Sequence, residues 1–254
     1  MTESSSPALV SLTLRMADNA LILAQQNAKW CGHAPTVEED IALSNVALDL
    51  IGQARLWFAL ACDAEGQKRD ENQLAFSRDA GEFRNAILCE QPNGDYAQTL
   101  MRQYLFDCWH NVRTADLGES SNTTISSIAN KTKNEVAYHL ERSRSLITRL
   151  ADGNDTSIQR MQRSINFLWP AFGSLFEDYD PVDNDLASKG VAAKPSKLRD
   201  TVLDNIQQDL ADLLEIPTQD YWHRGAVRGV HSEHLGHILS DMQFLQRGYP
   251  GLQW

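Results

Sequence analysis

Apolar residues recur at helical spacing along almost the whole of this 254-residue chain, and no stretch alternates with period two. Two long stretches carry the pattern furthest. In the first, Leu43, Ala47, Leu50, Ile51, Ala54, Trp57, Phe58 and Ala61 follow i, i+3/i+4 spacing. It opens with Thr36-Val-Glu-Glu39, which has the form of a capping box, and Gly66 closes it. In the second, Ile125, Ala129, Thr132, Val136, His139, Leu140, Ser143, Ile147 and Leu150 track one face until Asp152-Gly-Asn154. Helices of this length must bury their apolar stripes on one another, so the pattern predicts an all-α fold: a long four-helix bundle with accessory C-terminal helices.

The remaining segments fill in that plan. Helices are expected at about 8–30, 36–65, 95–117, 122–151 and 156–176, the last bending near Pro170. Residues 67–91 read as a loop with a shorter helix around 81–89, and Gln91-Pro-Asn-Gly94 as a turn. An irregular excursion over 177–195 precedes helices at about 198–214 and 227–247. The bundle core then covers about 8–176 and the accessory helices about 196–248, in a single domain over 1–254. Residues 45–58 and 135–147 occupy matching places in two successive helix pairs, a weak internal duplication of the kind a two-fold bundle shows.

Composition narrows the function classes. A net charge of −11 argues against generic nucleic-acid binding and against an anionic membrane surface. No apolar run approaches the roughly 18–20 residues of a membrane span. MTESSSPALV shows no basic region before an apolar stretch, so a cytoplasmic location is expected. Cys31, Cys62, Cys89 and Cys108 stand far apart with no C-x-x-C, as expected of reduced, mostly buried thiols.

Within a four-helix bundle the chemistry to test first is a carboxylate-bridged di-metal centre. It needs a Glu-x-x-His pair on each of two helices and one carboxylate from each of the others. The matching pairs here read Leu50…Gln53 and Val136…His139, and Glu-x-x-His occurs nowhere. Hydrocarbon at Leu50 and Val136 avoids the several kcal/mol that a buried carboxylate without its metal would cost. The same residues also suit an ordinary bundle whose positions never held a ligand. Asp-x-x-His occurs as Asp107…His110 and Asp220…His223. Asp107 is expected to be a polar bundle residue paired with a neighbouring His or Arg, with His110 facing outward. Asp107 and Glu135 are the polar candidates for lining the former site, and Glu135 and His139 are i, i+4 neighbours. A divergent ferritin-like metal-dependent oxidase acting on its own would have to use Asp107, His110, Glu135 and His139.

A second polar cluster, His231-Ser-Glu233-His234-Leu-Gly-His237, drifts around a helix, with His231 and His237 about 240° apart, so the three His cannot all bind one ion, although His231 with His234, or Glu233 with His237, could share a face. It lacks the zinc-protease His-Glu-x-x-His. Its residues are expected to be hydrogen-bonded near Arg224 and Arg228, or to serve a ligand-carrier role. No nucleophile elbow, phosphate loop or dinucleotide fingerprint is present. Trp30, Trp57, Trp109 and Trp169 are expected in the core.

Residues 18–55 (DNALILAQQNAKWCGHAPTVEEDIALSNVALDLIGQAR), 90–110 (EQPNGDYAQTLMRQYLFDCWH), 135–143 (EVAYHLERS) and 231–254 closely resemble the C-subunit family of ring-1,2-phenylacetyl-CoA epoxidase, a bacterial multicomponent monooxygenase of phenylacetate catabolism. The resemblance covers nearly the whole chain and is weakest over 177–195. It implies a ferritin-like fold and a structural, non-catalytic subunit in a hetero-oligomer. The family's catalytic A subunit holds the di-iron centre and binds the CoA thioester. A small B subunit and a reductase carrying FAD, an iron–sulfur centre and NADPH complete the system. The catalytic subunit's ligand pairs fall on Leu50/Gln53 and Val136/His139, so no catalytic or metal-binding residue carries over, and no cofactor is expected in this chain.

Overall fold

The computed structural model describes residues 6–66, 68–218 and 221–252, among which there are nine α-helices and no strand. The all-α reading therefore holds. Contacts divide the chain into two compact units, Met1–Glu90 with Gly225–Trp254, and Gln91–Arg224.

The first unit is built on a helical hairpin, α1 (Pro7–Ala28) and α2 (Val37–Glu65), with α3 (Glu71–Phe76) and α9 (Glu233–Gly248) packed against it. Ser6 caps α1 and Pro7 opens its first turn, where a missing N–H costs nothing. Thr36 Oγ accepts from Glu39 N at 3.3 Å to start α2, and Gly66, at φ +76°, ends it. α1 is buried along most of its length. Contrary to the sequence reading, it is long and apolar enough to cross a membrane by length and composition, but 78% of that stretch lies inside the protein. In α2, Leu43, Leu50, Ala54 and Trp57 are buried as expected. Ile51 is 39% exposed, because it sits about 100° around the helix from Leu50, beyond the edge of the buried face.

The short helix expected at 81–89 forms instead at α3. Asp70 Oδ1 accepts from Gln73 N (2.7 Å) while Gln73 Oε1 accepts from Asp70 N (2.9 Å), and this reciprocal cap fixes the start. Beyond a 3-10 turn at Ala80–Glu82 the chain to Glu90 is irregular and held by side chains. Arg78 forms a buried two-pronged ion pair with Asp18 of α1, also donates to the carbonyls of Leu74 and Glu82, and lies over the Phe83 ring at 4.1 Å. Asp18 also accepts from Arg84 N (2.8 Å), and Asn19 Oδ1 from Ala86 N (2.6 Å). α9 begins six residues later than the periodicity suggests, since Ala226–Arg228 form a single 3-10 turn and Ser232 N donates to Glu90 Oε1 at 2.7 Å.

The second unit is arranged around α4 (Tyr96–Gly118), against which α5 (Thr123–Ala151), α6 (Asp155–Phe172) and α8 (Pro195–Leu210) all pack. With neighbours on three sides, α4 buries polar residues that a two-faced helix would leave in water. Arg102 donates to Gln91 O (2.6 Å) and Asn93 Oδ1 (2.8 Å), and Arg113 to Ala193 O (2.7 Å) and Asp116 (3.0 Å). Tyr104 OH and Arg144 Nε both donate to Asp209 at 2.8 Å. Pro170 falls in the last turn of α6, after which the chain tightens into a 3-10 turn at Gly173–Phe176. Gly173 is required there, because a Cβ would lie 2.0 Å from the Trp222 ring. The excursion over 177–195 is more ordered than expected, containing α7 (Val182–Ser188). It is tied to the α4–α5 turn by Ser120 Oγ donating to Val191 O (2.6 Å) and Ser121 N to Gly190 O (2.9 Å).

Candidate functional site

Leu50 and Gln53 are both buried on α2 in the first unit, at 0% and 1% exposure. In the second unit, Val136 and His139 are buried on α5, and Asp107 and His110 on α4. α4 and α5 form a hairpin, and their facing side brings together a polar group centred on Asp107. Gln103 Nε2 donates to its Oδ1 and Ser143 Oγ to its Oδ2, each at 2.7 Å. Full burial pushes the Asp107 carboxyl up to about 6, opposed by the nearby His139 and by the two donated hydrogen bonds. Asp107 is thus a hydrogen-bonded bundle residue, with Gln and Ser as its direct partners rather than the His or Arg expected.

His110 does not face outward. It is 3% exposed, because α4 has no solvent-facing side at this level. Burial, reinforced by the charge of His139, drives it down to about 3, so the ring is neutral at ordinary pH. It packs against Phe106 at 5.0 Å and Trp109 at 6.1 Å, and its Nδ1 has no hydrogen-bond partner. Glu135 is exposed, so it does not line a buried position with His139. Four residues apart they differ by about 40° around the helix, and the boundary of the buried face runs between them. Trp57, Trp109 and Trp169 are in the core, while Trp30 is half-buried.

The residues do not fit a di-iron centre. Leu50 and Val136, the first residue of each pair tested, are buried hydrocarbon, Asp107 spends both oxygens on neutral donors, and Glu135 is exposed. Among the described residues no group of three or more His, Cys, Asp or Glu could hold a metal ion.

The C-terminal cluster does not converge either. Glu233 and His237 are exposed, and His234 is half-buried. His231 alone is taken inside, its Nδ1 3.0 Å from Glu90 Oε2 and its Nε2 3.0 Å from Phe83 O. Glu90 also accepts from Asn85 Nδ2 (3.1 Å) and Ser232 N (2.7 Å). His231 is therefore hydrogen-bonded, as expected, to Glu90 and to the Phe83 carbonyl. Asp220, of the second Asp-x-x-His, lies outside the described residues. Sequence reasoning missed Glu90, Asn85, Asp18 and Arg78. The Asp18–Arg78 pair and the contacts of Glu90 with His231 and Ser232 join residues distant along the chain, and no local spacing marks them.

A family model described as phenylacetic acid catabolic protein matches residues 1–254. The chain belongs to the phenylacetic acid catabolic protein family. Among curated proteins, the C subunit of 1,2-phenylacetyl-CoA epoxidase from Escherichia coli (strain K12) is 42% identical over 247 residues, spanning 97% of this chain and 99% of that protein. The all-α, ferritin-like class read from the sequence agrees with membership of this family.

Proposed function

We propose that this chain is the C subunit of a 1,2-phenylacetyl-CoA epoxidase: a structural, non-catalytic and metal-free subunit, with a degenerate di-iron site, that stabilises the catalytic di-iron A subunit in the cytoplasm. The small B subunit and a reductase with FAD, an iron–sulfur centre and NADPH serve the same complex. The observation that carries this reading is the burial of Leu50 and Val136 where the ligand pairs would begin, together with a neutral His110 and a carboxyl at Asp107 committed to Gln103 and Ser143. Likeness to the Escherichia coli protein over nearly both full lengths supports the assignment to an assembly.

Epoxidation of phenylacetyl-CoA by the cognate catalytic subunit, with reductase and NADPH, tests this reading. Activity and half-life of the catalytic subunit should rise when this chain is added. This chain with the reductase, but without the catalytic subunit, should turn over nothing. Turnover by this chain alone would instead favour an independent metal-dependent oxidase built on Asp107, His110 and His139.

A further inference from the structure

α2 has a second apolar face. Away from its buried stripe it exposes Val37 (72%), Ile41 (57%), Leu48 (65%) and Ile51 (39%). With Ser44 half-buried and Arg55 exposed, positions 37, 41, 44, 48, 51 and 55 advance by alternating steps of four and three. All six lie within about 40° of one line along the helix, the geometry of a seam by which two helices pack side by side. Single exposed aliphatic residues need no explanation, but a regular row about 27 Å long does. Gly52 borders the row. A glycine inside a helix is destabilising relative to alanine, yet this one is exposed and a Cβ on it would meet nothing within 4 Å.

The row is complementary to itself when reversed. We infer that α2 packs antiparallel against α2 of a second copy of this chain, about a two-fold axis at the level of residues 45–47. In that register Ile41 faces Ile51 of the second copy, Leu48 faces the small Ser44, and Val37 lies along the stem of Arg55. One edge of the seam carries Glu38, Asn45 and Gly52, all exposed. There the two Asn45 amides meet on the axis. Glu38 passes over Gly52 of the second copy, where no side chain stands in its way, to reach the Arg55 guanidinium. Arg55 is the sole basic residue of α2 and stands 3.7 Å from Glu71 of its own chain. Asp40 adds no acidic border, since it turns back to accept from Gly32 N at 2.7 Å. Every contact occurs twice, as a closed two-fold interface requires. A parallel pair would instead stack Arg55 on Arg55 and leave both Glu38 without a counter-charge. Two chains that each carry a net charge of −11 repel at long range, and one helix pair is a small interface, so the dimer is reversible. It goes beyond the epoxidase reading and does not rest on it.

Sedimentation equilibrium of the full-length chain, purified alone, tests the pairing at concentrations up to about 100 μM, which covers the micromolar range of a weak interface. The wild type should show a monomer–dimer equilibrium. Leu48→Glu and, separately, Ile41→Glu should each weaken the dimer at least about tenfold. Both side chains are exposed, so helix content by circular dichroism should stay at the wild-type value. Oxidative cross-linking reads the register, with exposed Cys31 first replaced by serine. Asn45→Cys lies at the axis and should link two copies. Val37→Cys should not, because the two copies of residue 37 stand about 27 Å apart along the seam. A monomeric wild type at the highest concentration would overturn the inference. So would a dimer that both glutamate variants leave intact, or cross-linking through Val37→Cys instead of Asn45→Cys, which marks a parallel pair. None of these outcomes bears on epoxidation with the catalytic subunit, so the two readings fail separately.

Discussion

At the scale of single residues, burial has turned two titratable groups against each other. Asp107 is held up near 6, above the roughly 3.9 of an unfolded carboxyl, so the folded state binds its proton more tightly. Its contribution to stability is present below pH 4 and lost as pH rises through 6. His110 is held down near 3, below the roughly 6.5 of an unfolded imidazole. Its contribution is present above pH 6.5 and lost as pH falls through 3. Between pH 4 and 6 the two trends oppose. Asp107→Asn removes the first, so unfolding free energy should fall more steeply on acidification than in the wild type, with stability at pH 7 equal or higher. The variant can keep its hydrogen bonds, because Ser143 Oγ also reaches Leu140 O at 3.2 Å and can accept from the new amide. His110→Phe removes the second trend, fits between Phe106 and Trp109, and should make stability rise on acidification from pH 6 to 4. Urea unfolding across that range checks both; parallel pH profiles for the two variants would contradict them. The scale of each effect is a few kcal/mol.

At the scale of elements, long helices were legible and their irregular connections were not. Residues 37–65 and 123–151 declare themselves by a stripe sustained over many turns, and Thr36, Gly66, Asn122 and Asp152 mark ends that the structure reproduces within a residue or two. The stretch after Gly66 carries no such period, and its order comes from Asp18, Asn19, His231 and Ser232 reaching it from elsewhere in the chain. α4 misled for a related reason. Its His110 was expected to face outward, yet three packed helices surround α4, and His110 is buried along with Arg102, Gln103, Asp107 and Arg113. Ile51 misled in the opposite sense, because an aliphatic residue beside a core stripe reads as core although it points outward. Asp18→Ala should show how much the buried pair with Arg78 matters to the first unit. It leaves a guanidinium that is 1% exposed without its counter-charge, and should lower unfolding free energy by about 3–5 kcal/mol. A loss below about 1 kcal/mol in urea unfolding would mean that the carbonyls of Leu74 and Glu82 and the Phe83 ring suffice to hold Arg78.

At the scale of the whole molecule, fold class and kinship were open to reading because both rest on extended patterns: helical periodicity from end to end, and motif stretches shared along nearly the full chain with an epoxidase component. What could not be read was the state of the polar residues. Glu135 proved to be exposed, His110 buried and Asp107 hydrogen-bonded to Gln103 and Ser143, and each outcome depends on how the helices pack rather than on residue spacing. On the proposed reading, a chain with hydrocarbon at Leu50 and Val136 and with Asp107 hydrogen-bonded to Gln103 and Ser143 should bind no iron whatever it assembles with. The most direct test is the iron content of this chain purified alone, after anaerobic incubation with excess ferrous ion and desalting, beside its cognate catalytic subunit treated identically. A structural subunit retains less than about 0.1 iron per chain while the catalytic subunit retains about two; about two per chain in both would contradict it.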